Sequence, residues 1–291
     1  MKKQILLFIV VLNAVVGFAQ KTLSNDYSYT VSAPYKLFEG KKFYFSNNNR
    51  LLAVKIEERD VMLQIFNNKD EKVSFIAEKK YEDFPKNMQL EDVIEHGGRY
   101  YLFYSLWDGR NDKEQLFVRE IDFVKGIFTA EAKLLLKVDG KVTGAPLKTK
   151  LNWSGIDDEE RGGWVDSPNL WSNGVNTLNS LETTDKFDFI QDMEKKKLLV
   201  QYRMKPKIKS DTKSYDIIGM AGFDQGLTMT SQEEIKMPYT ERRMDALDYA
   251  IDMQGNTYIL AKVFHDDSNK SKKEGAPNYH IELMRLKNGS N

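Results

Sequence analysis

Between Asp92 and Phe128 the apolar positions fall in short runs separated by glycine and polar turns, and no helical period runs through them. Val93 to Glu95 predicts a short strand, and His96-Gly97-Gly98-Arg99 predicts a tight turn, because paired glycines supply the positive φ that a hairpin needs. Tyr100 to Trp107 is an aromatic run long enough to cross a sheet and apolar enough to be covered on both faces, which predicts a central strand. Asp108 to Asp112 is a polar loop, Gln115 to Phe123 alternates as a third strand, and Lys125-Gly126 turns the chain towards a fourth. Four antiparallel strands in about forty residues make one blade of a β-propeller or one sheet of a β-sandwich.

The unit recurs. Phe187 to Met193 (FDFIQDM) matches Leu247 to Met253 (LDYAIDM) without a gap, and each is followed by a polar turn and an apolar strand, Leu198 to Tyr202 or Tyr258 to Val263. The same order appears at Leu90 to Phe103, and again at Lys42 to Val54 with Asn47-Asn48-Asn49 as the turn. Arg50, Arg99, Lys197 and Thr257 mark the four turns. Residues 141–185 break the spacing and are rich in Gly, Asn, Asp and Ser, so they are predicted to be an irregular insertion. The lysine-rich segments Lys205 to Ser214 and Asp266 to Pro277 are expected to be solvent-facing loop tips inside a unit.

The strand order and turn placement over residues 37–140 and 185–287 resemble the secreted β-propeller proteins of Gram-negative bacteria. The resemblance implies an all-β fold of four-stranded antiparallel blades. Either Tyr27 to Leu37 closes the ring, or the array is open and incomplete. No Trp-Asp ending at regular intervals, no Asp-box and no kelch double-glycine set accompanies the pattern.

The first nineteen residues read differently. Lys2 and Lys3 precede an apolar run from Ile5 to Ala19, and the small residues Gly17 and Ala19 stand before Gln20, which is the plan of a secretory signal peptide with residues 20–291 as the exported body. The run is short and interrupted by Asn13, so no stable membrane span is expected after cleavage. The expected destination is the periplasm, the outer-membrane surface or the extracellular space. With no cysteine, the body must hold together by packing alone.

Loss of residues 1–19 removes two lysines and no acid, leaving 41 basic against 43 acidic residues. That balance argues against nucleic acid as a partner, since phosphate binding needs a net basic face. A hydrophobic fraction of 41% with 12% aromatics is enough for a substantial core.

The chemistry concentrates in the insertion. Trp153, Trp164 and Trp171 are three of the four tryptophans, and they flank Asp157-Asp158-Glu159-Glu160 and Gly162-Gly163. Indole faces stack on sugar C–H faces while carboxylates bond hydroxyls, so the set suits a glycan. The other reading is that the tryptophans pin the loop to the body and the acids are solvated. Calcium has two oxygen-rich candidate segments, Asp157 to Glu160 and Asp108 to Asp112, neither with the ligand alternation of an EF-hand. His96, His265 and His280 are not spaced as metal ligands on one element, so no metal or other cofactor is assigned. There is no Gly-x-Ser-x-Gly elbow and no phosphate-binding glycine loop. Two functions follow from this reading. One is a non-catalytic exported module that binds a protein or glycan. The alternative is a propeller-type carbohydrate-active enzyme with acids among Asp108, Asp157, Asp158 and Glu159.

Overall fold

The computed structural model describes residues 41–57, 59–69, 72–143, 186–208, 210–268 and 270–286. Over these the chain is all-β. The first sheet is β1 (Lys41–Asn47), β2 (Arg50–Glu57), β3 (Asp60–Lys69) and β4 (Lys72–Tyr81), in chain order. The second is β5 (Gln89–His96), β6 (Arg99–Asp108), β7 (Lys113–Asp122), β8 (Ile127–Phe128) and β9 (Lys133–Asp139), with β8 and β9 both on β7. The third is β10 (Phe187–Gln191), β11 (Leu198–Arg203), β12 (Tyr215–Phe223) and β13 (Met229–Thr240). The fourth holds β14 (Met244–Ile251), β15 (Thr257–Phe264) and β18 (Tyr279–Leu286), with a small hairpin of β16 (Lys272–Lys273) and β17 (Ala276–Pro277) between the last two.

All pairings named within these sheets are antiparallel, and the sheets stack face on face in chain order. Tyr100, Leu102 and Tyr104 of β6 pack on Leu52, Val54 and Leu63 of the first sheet, while the alternate residues Tyr101 and Phe103 pack on Phe187, Val200 and Tyr202 of the third. The same alternation carries the third sheet to the fourth, where Leu199 and Ile218 meet Ala246, Ile259 and Val263. A strand covered on both faces must be apolar at successive positions, which is why residues 100–104 carry five large apolar side chains in a row. Each, when fully buried, contributes about 1.5–3 kcal/mol. The first strand of the third sheet, β10, touches the first strands of its two neighbours, β5 and β14, so in these three sheets the first strand lies innermost. This is the construction of propeller blades rather than of a two-sheet sandwich.

The turns follow from their residues. Gly97 and Gly98 have φ of 59° and 76°, and Asn48 and Asn49 have 43° and 61°. Both pairs therefore form the type I′ turn that matches strand twist. In the third and fourth sheets the corresponding turn is longer and is held by an aspartate. The Asp192 carboxylate accepts from the amides of Lys196 and Lys197, and that of Asp252 from Gln254 and Asn256. One step earlier, Asp92, Asp188 and Asp248 each accept from the amide of the following residue, so the matched sequence segments occupy corresponding places.

The fourth strand of the second sheet departs from expectation. After Lys125-Gly126 the chain adds only Ile127–Phe128 and then breaks before rejoining β7 as Lys133–Asp139. The last bond before the break is from the Thr129 amide to the Glu120 carbonyl of β7.

Aspartates that cap turns in this way make stability fall in acid. Hydrogen bonds hold the carboxyls of Asp122, Asp224 and Asp252 below the ordinary aspartate range: chiefly the Lys125 amide for Asp122, the Thr228 amide for Asp224 and the Asn256 side chain for Asp252. A depressed folded-state pKa gives stability that is present above the unfolded value of about 3.9 and lost as pH falls through the folded one. The urea midpoint is expected to drop as pH falls below about 4, and the triple Asp→Asn variant at these positions is expected to flatten that drop. An unchanged slope in the variant would contradict it.

Candidate functional site

All connections longer than six residues fall at one end of the sheets. They are 82–88, 140–186, 204–214 and 265–278, whereas the opposite end has turns of two to six residues. That tight end is also cross-braced. His96 is fully buried there, with Nε2 donating to the Asp224 carbonyl at 3.0 Å and Nδ1 accepting from the Gln191 amide at 3.1 Å. The Gly97 amide donates to the Lys195 carbonyl of the third sheet. Binding residues are carried most often on loops that a rigid scaffold holds up, which makes the long-loop end the candidate face.

Residues 144–185 lie outside the described residues, and with them Trp153, Asp157, Asp158, Glu159, Trp164 and Trp171. Both stems of the insertion are described, and both are fixed to the rim. On the leaving side Val142 bridges Met204, the Thr143 amide donates to the Arg203 carbonyl at 2.9 Å, and the Lys205 amide donates to the Lys141 carbonyl at 2.8 Å. The Lys141 ammonium sits 5.1 Å from the ring centre of Trp107, the remaining tryptophan. On the returning side Lys186 pairs at 3.0 Å with Glu114, which is buried, and the Phe187 amide donates to Glu91 Oε2 at 3.3 Å.

Glu91 reaches Phe187 because the pairing of β5 with β6 shifts between Leu90 and Asp92, leaving Glu91 as a bulge. Its other oxygen accepts from Ser105 Oγ at 2.5 Å. The fourth sheet has the same shift between Ala246 and Asp248, with Leu247 in the bulge.

Behind the leaving stem lies an ionic network. Arg203 donates through Nε to Asp216 at 2.5 Å and pairs through Nη2 with Glu241 at 3.2 Å, while Ser214 donates to the other Glu241 oxygen at 2.7 Å. The hydroxyls of Tyr249 and Thr240 are buried without a hydrogen-bond partner. Burial, with the Asp216 charge nearby, pushes the Tyr249 hydroxyl well above its ordinary range, so it stays protonated.

In the segment Asp108 to Asp112, the second oxygen-rich stretch of the sequence, the turn closes on the aspartate that opens it. Asp108 Oδ1 accepts from the amides of Arg110 and Asn111, and Oδ2 from the Asn111 side chain at 2.7 Å. Among the described residues no three His, Asp or Glu converge to hold a metal. Two of the three histidines, on different elements, nonetheless meet: the rings of His265 and His280 stack with centroids 5.4 Å apart. Strand pairing brings them together, and no linear spacing announces it.

A cleft of about 190 Å³ opens between the third and fourth sheets, lined by Leu199, Met220, Ser231, Glu233, Ile251 and Leu286. It lies towards the tight-turn end and is smaller than the usual 300–1,000 Å³ of a small-molecule pocket. Among the described residues no helix is long and apolar enough to cross a membrane.

No family model matches the sequence, and no curated protein matches it. Solved structures with a related outline include an endo-arabinase from Bacteroides thetaiotaomicron VPI-5482, at 11% identity and a TM-score of 0.32, covering 84% of this chain and 74% of that one. The β-propeller domain of the Trilobed protease from Pyrococcus furiosus is 10% identical with a TM-score of 0.34, covering 87% of this chain and 57% of that one. A thermostable family-43 glycoside hydrolase is 8% identical with a TM-score of 0.30, covering 85% and 89%. Overlaps this loose carry no argument about chemistry, and the sheet order described above stands on its own contacts.

Proposed function

We propose that the protein is an exported, non-catalytic binding module whose long-loop end takes a protein or glycan ligand, with the insertion as the contact region. The observation that carries this reading is the placement of the insertion. A segment holding three tryptophans and four consecutive acids leaves the body through a stem bonded to the end of β11 and re-enters it through one bonded to the buried Glu91 and Glu114. Such stems hold a contact loop over a fixed base and limit the ordering entropy that binding costs. The acids of the rim support binding over hydrolysis. Glu114, Asp216 and Glu241 are each tied to a cation, and Glu91 to a hydroxyl and an amide, whereas glycoside cleavage needs a pair of carboxyls free to face the substrate about 5–10 Å apart.

The test is glycan-array and pull-down binding of the mature chain beside Trp164→Ala. Expected is a ligand whose binding falls about tenfold or more in the variant, in line with the loss of one aromatic hot spot. Binding that Trp153→Ala, Trp164→Ala and Trp171→Ala all leave unchanged would remove the insertion from the reading. Hydrolysis of a bound glycan, lost in Asp157→Asn or Asp158→Asn, would replace the module by the carbohydrate-active enzyme. Export is checked by sequencing the mature amino terminus, expected at Gln20.

A further inference from the structure

The chain has three histidines and no cysteine, so its soft and borderline metal ligands are few and each can be followed. His96 is buried with both ring nitrogens engaged. The other two lie on the long-loop rim of the fourth sheet. His265 follows β15 and donates its amide to the Asn278 carbonyl, and His280 is the second residue of β18. Since Val263 pairs with His280, His265 and His280 are diagonal neighbours across adjoining strands, and their rings lie 5.4 Å apart at 21°.

His280 is also oriented. Its Nε2 lies 2.8 Å from Glu282 Oε1, and the same oxygen accepts from the Tyr239 hydroxyl at 2.7 Å. A carboxylate with no proton to give must receive one, which places the hydrogen on Nε2 and, in the neutral ring, leaves the lone pair on Nδ1. A carboxylate on one ring nitrogen and an open lone pair on the other is the usual support of a metal-bound histidine.

We propose that His265 and His280 form a two-imidazole site for a borderline transition-metal ion, Cu²⁺, Ni²⁺ or Zn²⁺. Both side chains are exposed, and a shared ion would take one nitrogen from each ring at about 2.0–2.1 Å. Water fills the remaining positions. Imidazole donors select these ions over Ca²⁺, which takes six to eight oxygens.

The experiment is calorimetric titration of the untagged protein with the chlorides of Cu²⁺, Ni²⁺, Zn²⁺ and Ca²⁺. Expected are one ion per chain, Cu²⁺ tightest, and no heat from Ca²⁺. His265→Gln and His280→Gln are each expected to weaken binding at least tenfold, and Glu282→Gln to weaken it by about tenfold. Equal melting temperatures confirm that these exposed substitutions leave the fold intact. With Zn²⁺, the ring proton signals of two histidines should move while those of buried His96 stay. Absence of Cu²⁺ binding, binding that both histidine variants retain, or movement of no histidine signal would overturn the site.

Discussion

Replacing Arg203 by Met is expected to destabilise the protein by about 3–5 kcal/mol, the usual cost of removing one partner from a buried ion network. The guanidinium is the described cation paired with both Asp216 and Glu241, whose side chains are only 6% and 14% exposed. Met preserves much of the buried stem, so the loss comes mainly from two carboxylates left facing each other in a low-dielectric setting. Urea unfolding measures it. A cost under about 1 kcal/mol would show that water reaches the pair and that the network is a surface one.

The same substitution reads the insertion. The Arg203 carbonyl receives the Thr143 amide, so disturbing the end of β11 is expected to loosen the leaving stem and speed proteolysis within 144–185. Limited proteolysis compared with wild type checks this separately from global stability.

The second large effect is expected at Gly219. It pairs with Tyr202 across β11 and β12, and a β-carbon added there would stand 2.0 Å from two atoms of the tyrosine ring. Tyr202 cannot yield, because it is fully buried with Phe187 edge-on at 5.8 Å. Gly219→Ala is therefore expected to cost about 3 kcal/mol, the upper end of overpacking, and to lower the melting temperature accordingly. In the double variant with Tyr202→Leu the two costs should be clearly less than additive, because the clash is removed together with the ring. Additive costs would mean that the backbone, rather than the ring, makes the position intolerant.

Gly219 also shows how far the sequence could be read. Ile217-Ile218-Gly219-Met220 is an apolar strand segment by eye, but only the neighbouring strand tells that a tyrosine ring lies flat over the glycine. The first hairpin of each sheet was legible, since its second strand, β2, β6, β11 or β15, is largely buried and its turn carries Gly-Gly, Asn-Asn or an Asp-led loop. The outer strands were not. β4 and β13 are largely exposed along their length, so KVSFIAEKKY and MTSQEEIKMPYT carry no sustained alternation to read.

The candidate site divides in the same way. The insertion is a reading of the sequence, from a break in spacing and a concentration of tryptophan and acid, and most of it lies outside the described residues. Its attachment was not legible, because Glu91 with Phe187 and Glu114 with Lys186 join residues separated by the whole insertion. Asp108 shows a similar limit: the sequence marked its loop as oxygen-rich, and only the folded turn shows that the carboxylate accepts from the amides of Arg110 and Asn111 and from the Asn111 side chain.

What the amino acids determined alone is local: strands where aromatic and branched residues run together, turns where glycine, asparagine or aspartate permits them, and a near-neutral chain that must pack without disulfides. Tertiary structure decided which end carries the long loops, how the insertion is tied down, and that His265 and His280 share a patch of surface. These depend on strand register and sheet stacking, which bring together residues that the chain holds far apart.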